Sequence, residues 1–257
     1  MIDLHSHILP GLDDGARTVE DALEIARAAV EDGITAIAGT PHVRDDHPTT
    51  AGSMEQALAR LRSAIEESSI PLEILSGGEV AVDRLALLPP EELRRFGLGG
   101  NPRYLLVETP YYGWPLGLGR HLEAILEQGI VPVLAHPERN AEVQVDPERL
   151  VPLVHAGVLV QLTAASVDGR TGRRAQASAF DLIERGLAHL IASDAHHASV
   201  RAIGMRAAAD DVGNEALARW LTHDVPAAIV ADAPLPERPA GGPRRTLLQK
   251  LRRAATR

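Results

Sequence analysis

The chain contains no cysteine. No disulfide can form and no thiolate can attack a substrate, which excludes the cysteine-dependent phosphatase and protease mechanisms. Lysine occurs once, at Lys250. A Gly-x-x-x-x-Gly-Lys phosphate loop is therefore absent, and no dinucleotide fingerprint is present either. Aromatic residues make up only 3% of the chain. A core must be built from Leu, Val, Ile and Ala, which suits Ala-rich helices around a buried sheet of branched aliphatics. No apolar run approaches the roughly 20 residues of a membrane span. The first residues show neither a basic n-region nor an apolar h-region. A soluble, cytoplasmic protein is expected.

What is present is a chain of 257 residues, 45% hydrophobic, with a net charge of −9. That length suits one large α/β domain. The charge is unevenly placed. Between Pro234 and Arg257 seven basic residues face one acidic residue, a net of +6, so the rest of the chain carries −15. An acidic body argues against nucleic acid as a partner and is expected where carboxylates surround bound cations. The composition divides the chain into a folded unit, 1–233, and a Pro/Gly linker with a basic tail, 234–257.

The opening stretch, Asp3-Leu-His5-Ser-His7-Ile-Leu-Pro-Gly-Leu-Asp13-Asp14-Gly15, organises the reading. Its start looks like a strand. On a strand, residues two apart point the same way, so His5 and His7 can reach one metal ion. Pro10, Gly11 and Gly15 then break the strand into a loop carrying Asp13 and Asp14.

Strands and helices alternate along the remainder. Thr18 and Asp21 form a capping box for a helix to about Glu31, and Ser53 with Gln56 caps a second to about Ser68. Further helices are expected over 121–128, 147–155 and 173–185, and two more within 199–221. The stretch around Pro89, Pro90, Gly97, Gly99 and Gly100 is expected to be irregular. Strands are expected at the start and over 34–38, 71–75, 104–107, 130–135, 158–162 and 187–192. These are mostly unbroken apolar runs, as in a parallel sheet covered on both faces. Six of the seven end in His, Asp or Glu: His5 and His7, His42, Glu79, Glu108, His136, and Asp194 with His196. In a closed barrel all strand C-termini meet at one mouth, whereas an open sheet would spread them along a line. The expectation is a distorted (βα)7 TIM-like barrel. The other histidines, His47, His121, His155, His189 and His223, read as structural or surface residues.

Histidines mixed with carboxylates suit Mn, Fe or Zn better than Ca. About nine ligands suit two or three ions. Such sites hydrolyse phosphate esters or amides, since the ions activate water and hold the attacking and leaving oxygens. Phosphate also needs cations from the protein. Arg139, three residues after His136, and Arg201, five after His196, stand at suitable spacing for guanidinium contacts.

The opening motif, Thr40-Pro-His42, Gly78-Glu79-Val, Val107-Glu-Thr-Pro110, Ala135-His-Pro-Glu-Arg139 and Ser193-Asp-Ala-His196 together resemble the PHP (polymerase and histidinol phosphatase) superfamily. Within it they resemble the bacterial metal-dependent tyrosine-protein phosphatases encoded with capsule and exopolysaccharide genes. The likeness runs over about residues 1–231. It implies three metals, commonly manganese. By that resemblance His5, His7, Glu79 and Asp194 hold the first, with Glu79 bridging to a second completed by Glu108 and His136. Asp14, His42 and His196 hold the third, and Arg139 and Arg201 bind phosphate. It implies a phosphotyrosine protein as substrate, with a bacterial tyrosine kinase that regulates polysaccharide export as partner. Two departures stand near the mouth: Val43 replaces a histidine frequent in relatives, and the loop 44–52 is short and acidic.

Two other readings compete. One is a phosphatase of the same scaffold acting on a small phosphomonoester such as histidinol phosphate. The other is a non-catalytic module of the kind attached to DNA polymerases, which a free-standing acidic chain with every metal position intact opposes. The tail carries Leu247, Leu248 and Leu251 among Arg244, Arg245, Lys250, Arg252 and Arg253. That pattern allows a basic amphipathic helix on an anionic membrane surface, against the simpler reading of a flexible solvated tail.

Overall fold

Apolar runs separated by amphipathic stretches leave the strands no exposed face, so they assemble into a sheet wrapped by helices. The computed structural model describes residues 1–198 and 203–243. Among them the strands are β1 (Ile2–Ser6), β2 (Ala36–Gly39), β3 (His42–Arg44), β4 (His47–Pro48), β5 (Glu73–Ser76), β6 (Glu79–Ala81), β7 (Tyr104–Glu108), β8 (Val131–Ala135), β9 (Leu159–Thr163) and β10 (Leu190–Ala192). One parallel sheet runs β1-β2-β5, and a second runs β10-β9-β8-β7-β6-β3, with the short β4 antiparallel to β3 at its edge.

The two sheets are parts of one ring. The chain passes from β2 to β3 through Thr40-Pro41 and from β5 to β6 through Gly77-Gly78. Pro41 has no N–H to offer a ladder, so the strand breaks there and resumes. Glu79 N still donates to Pro41 O at 3.0 Å, which carries the pairing across the break. Each broken strand therefore counts as one position, and the positions number seven among the described residues. The ring is joined where the last strand meets the first. Asp194 N donates to His5 O and His7 N donates to Ala195 O, both at 2.8 Å, and Ser6 and Ala195 form a parallel bridge. Buried Asp3 adds a side-chain link, its Oδ1 accepting from Ser193 N at 2.9 Å. The distorted seven-stranded barrel expected from the sequence is the observed architecture.

Several helices differ in detail from the expectation. Thr18 and Asp21 do form a capping box at the start of Val19–Glu31. The next helix, Ala51–Glu67, is capped by Thr50 rather than Ser53. Thr50 Oγ1 accepts from Ser53 N, and Ser53 Oγ accepts from Thr50 N, each at 3.1 Å, so Ser53 is the reciprocal partner three residues in. The stretch expected to be irregular holds a short helix, Pro90–Arg95, with Pro at its first turn where no N–H is needed. The helix expected from His121 starts at Leu118, after Gly117 in the left-handed region. The C-terminal helices extend to Val230. A π-turn over Trp220–Asp224 leads into Val225–Val230, absorbing Pro226, which lacks a donor for a regular turn. The start of the 199–221 stretch lies outside the described residues.

Beyond the barrel, residues 234–243 lie along its surface. Trp220 Nε1 donates to Pro236 O at 3.0 Å, Arg238 Nη2 to Ile183 O at 2.9 Å, and Asn214 Nδ2 to Gly242 O at 3.2 Å. The basic tail from Arg244 onward lies outside the described residues.

The opening loop folds back tightly onto its own strand. Ala16 N donates to His7 O at 2.9 Å, and a Cβ placed on Gly15 would stand 2.2 Å from His7 O and 2.4 Å from His7 Cβ. Only glycine permits this approach. Gly15→Ala is expected to force the loop off His7 and cost about 1–3 kcal/mol, read as a lowered midpoint in chemical denaturation.

Candidate metal centre

The ring brings every described strand-end residue singled out in the sequence to one mouth. His5, His7, Asp14, His42, Glu79, Glu108, His136, Asp194 and His196 fall into four overlapping groups. These are His7, Asp14, His42 and His196; His5, Glu79 and His136; His5, His7 and Asp194; and His42, Glu79 and Glu108. Within each group one donor atom per residue lies within 4.8 Å of all the others. Eight of the nine are buried, and Asp14, on the loop, is exposed at the rim. Arg139 also reaches the mouth. Arg201 lies outside the described residues.

The histidines are aimed by partners behind them. His7 Nδ1–H donates to Asp13 Oδ2 at 2.7 Å, and His5 Nδ1–H donates to Gln161 Oε1 at 3.0 Å. Both rings therefore turn Nε2 inward, and the two Nε2 atoms stand 3.3 Å apart. Asp13 serves twice more, accepting from His42 N and Gly15 N at 3.0 Å each. His136 and Asp194 have positive φ, 37° and 53°, a conformation costly for a residue with a side chain. Both turn off the ends of their strands into the centre. His136 Nε2 lies 2.9 Å from Glu79 Oε1, and His196 Nε2 lies 3.2 Å from Asp14 Oδ1.

Some of these atoms converge without bonding to one another. His42 Nδ1 stands 2.8 Å from Glu79 Oε2, yet neither atom has a hydrogen bond of acceptable geometry and both are buried. Buried polar atoms seldom lack a partner. Lone pairs that face a common point without aligning on each other are the arrangement of ligands around a cation. The donor set, imidazole with carboxylate and no sulfur, fits a borderline transition metal such as Mn, Fe or Zn.

Electrostatics agree with this. Burial alone would lower the His5 pKa, but the Glu79 and Asp194 carboxylates outweigh it and raise it to about 9. His7 is likewise buried and yet held well above its ordinary value, chiefly by Asp13. Burial opposes ionisation of Glu79 and Asp194, yet the surrounding imidazoles, His5 foremost, pull both far below the usual carboxylate range. Glu108 is raised, by burial and by its neighbour Glu79. The site thus draws positive charge into a buried place, and in the metal-free chain protons supply it.

Arginines flank the cluster on two sides. Arg139 Nη1 donates to Asp194 Oδ2 at 2.7 Å, and its guanidinium lies over the Tyr111 ring, 4.5 Å from the centroid. Arg44 Nη1 donates to Glu108 Oε2 at 3.2 Å. Arg44, Gln161, the acceptor role of Asp13 and the buried Glu138 were not singled out from sequence. Glu138, fully buried, accepts from Thr163 N at 2.9 Å and so ties the loop after β8 to the end of β9. Gln161 carried a signal, as the one polar residue inside the apolar run 158–162. Of the histidines read as structural, His189 accepts from Val160 N at 3.1 Å, whereas half-buried His47 stacks on His42 with centroids 5.7 Å apart.

A divalent cation entering this cluster must displace the protons on His5 and His7. Loading the metal-free chain at pH 7.5 is expected to release protons, and the affinity to fall as pH drops. Titration calorimetry in two buffers of different ionisation enthalpy measures the release directly.

Comparison with known proteins matches this picture. The family model for capsular polysaccharide synthesis, CpsB/CapC, covers residues 1–230. Tyrosine-protein phosphatase YwqE of Bacillus subtilis (strain 168) is 36% identical over 203 residues, 78% of this chain and 79% of the relative. Tyrosine-protein phosphatase CpsB of Streptococcus pneumoniae is 28% identical over 243 residues, 90% of this chain and 99% of the relative. A solved structure, from work on YwqE of Bacillus subtilis and CpsB of Streptococcus pneumoniae as unique metal-dependent tyrosine phosphatases, superposes with a TM-score of 0.83 at 30% identity. It covers 96% of this chain and 100% of that one. With the motifs of the mouth in place and nearly the whole chain matched, this protein belongs to the CpsB/CapC family of capsular polysaccharide synthesis.

Proposed function

We propose that this chain is a metal-dependent phosphatase that removes phosphate from tyrosine in proteins. The observation that carries the reading is the convergence of nine His, Asp and Glu side chains at one barrel mouth, with buried donor atoms left unbonded among them. His5, His7, Glu79 and Asp194 would hold one ion, Glu79, Glu108 and His136 a second, and Asp14, His42 and His196 a third. His42 also approaches Glu79 and Glu108, at 2.8 and 3.6 Å, so the second and third positions adjoin. Divalent cations held there supply Lewis-acid stabilisation of phosphoryl charge and lower the pKa of water.

The chain's own groups do the rest. Asp13 and Gln161 fix the tautomers of His7 and His5. Arg139, bonded to Asp194 and steadied by Tyr111, is among the described residues the guanidinium nearest the buried carboxylates, and it neutralises the non-bridging oxygens as charge builds in the transition state. Arg201 is assigned the same task from its place in the sequence. The leaving phenolate has a pKa of about 10, so departure needs little help from a general acid. We assign manganese as the metal, a bacterial tyrosine kinase of capsule or exopolysaccharide synthesis as the partner, and the cytoplasm as the place. Among the described residues no helix is long and apolar enough to cross a membrane. The phosphatase unit is placed in residues 1–233.

Chelation should abolish hydrolysis of p-nitrophenyl phosphate, and Mn²⁺ should restore it; full activity in the metal-stripped protein contradicts the proposal. The two ends of the opening motif should separate. His5→Ala is expected to lose the first ion and at least about 100-fold in kcat/KM. Asp14→Ala, exposed at the rim, should weaken one ion selectively, and metal analysis of each purified variant distinguishes the two losses.

A further inference from the structure

Beside the metal centre lies a groove of about 640 Å³ whose lining, apart from Glu108 and Tyr111, the chemistry above does not use. Its floor is continuous with the centre, because Glu108 belongs to both. One wall is the loop Pro110-Tyr-Tyr-Gly-Trp-Pro115, and the other is formed by Arg44, Asp45 and Asp46 with Ala81–Asp83. The volume lies within the range of sites that enclose a sizeable ligand.

The aromatic wall is held rigidly and yet lacks a partner at its tip. Buried Asn140 accepts from Glu142 N and Val143 N, capping the short helix after it. Its Nδ2 donates the other way, to Pro110 O at 2.7 Å and Gly113 O at 3.0 Å. Ala141 N adds a bond to Tyr111 O at 2.9 Å. The loop is thus anchored directly behind Arg139. Tyr111 is turned in against Arg139 and His136, whereas Tyr112 is 83% exposed in a chain with few aromatics. An exposed aromatic ring on a fixed backbone, bordering a catalytic mouth, is a preformed surface for apolar contact.

The opposite wall carries charge of the other kind. Asp45 is paired with Arg84, and Arg44 is shared between Asp46 and Glu108. Asp83 lies on the same wall, exposed, and takes part in no ion pair among the described contacts. With Asp45, Asp46, Asp83 and Glu108 set against Arg44 and Arg84, the groove is acidic on balance.

We infer that this groove holds the polypeptide flanking the phosphotyrosine. Tyr112 covers the apolar part of the segment, and Asp83 receives a basic residue next to the phosphorylated position. The inference rests on the phosphatase reading and names its substrate class, a phosphotyrosyl segment with a basic flank. On this assignment Tyr112 and Asp83 act on the polypeptide flank and not on the phosphate, so the groove favours a polypeptide over a small ester.

The test uses the full chain loaded with Mn²⁺, with p-nitrophenyl phosphate and two phosphotyrosine peptides that differ only in Lys or Glu beside the phosphotyrosine. The parent should favour the Lys peptide by about fivefold in kcat/KM. Tyr112→Ala should raise KM for both peptides about fivefold, lowering the ratio of peptide to p-nitrophenyl phosphate hydrolysis. Asp83→Asn should erase the preference between the peptides. Both side chains are exposed, so neither change threatens folding. If the parent hydrolyses both peptides equally and the two variants match it, the groove has no such role, although the phosphatase reading stands. If the parent, loaded with metal, hydrolyses no aryl phosphate at all, the reading beneath the inference fails with it.

Discussion

The constraint on which this structure depends is the cost of burying charge. Glu79, Asp194 and Glu108 sit in the mouth of the barrel with almost no access to water. An isolated buried carboxylate would give up its charge or unfold the chain around it. Here the imidazoles of His5, His7, His42, His136 and His196 surround them, and His5 is held protonated up to about 9 in the metal-free chain. Such a cluster is compensated by protons or by cations. The depressed carboxylates of Glu79 and Asp194 and the elevated imidazoles of His5 and His7 are two sides of the same demand for positive charge at the centre.

The barrel exists to satisfy that demand from distant parts of the sequence. His5 and Asp194 are brought together by the hydrogen bonds that join the last strand to the first, so closing the ring and completing the cluster are one event. Asp3 ties the same seam through Ser193. The backbone is strained at His136 and Asp194, where two strands end and must turn a side chain inward. Around this core the chain is more permissive. The π-turn at Trp220–Asp224 and the broken strands at Pro41 and Gly77 are irregularities that the helices and neighbouring strands absorb.

Much of this was legible from residue types at strand ends. Unbroken aliphatic runs announced parallel strands, and the recurrence of His, Asp or Glu after six of them required a closed mouth. What was not legible depends on contacts between segments far apart. Gln161 looks like an interruption in an apolar strand until His5 is placed beside it. Asp13 and Asp14 are neighbours on one loop, and only the fold turns Asp13 back to His7 and Asp14 out toward His196. Asn140 caps a short helix that was not expected from the sequence, and its amide nitrogen also secures the aromatic loop. Thr50 displaced Ser53 as a cap because either hydroxyl residue can open a helix here, and the reciprocal bond between them, three residues apart, decides in favour of Thr50.

The central claim is that the nine side chains form one multinuclear metal centre. Crystals of the protein grown with Mn²⁺, with diffraction recorded on both sides of the manganese absorption edge, test it most directly. The account predicts three anomalous peaks inside the mouth, the first among His5, His7 and Asp194, the second beside Glu79, Glu108 and His136, and the third among Asp14, His42 and His196. A map with no peak in the mouth, or with manganese bound only elsewhere on the surface, would contradict it.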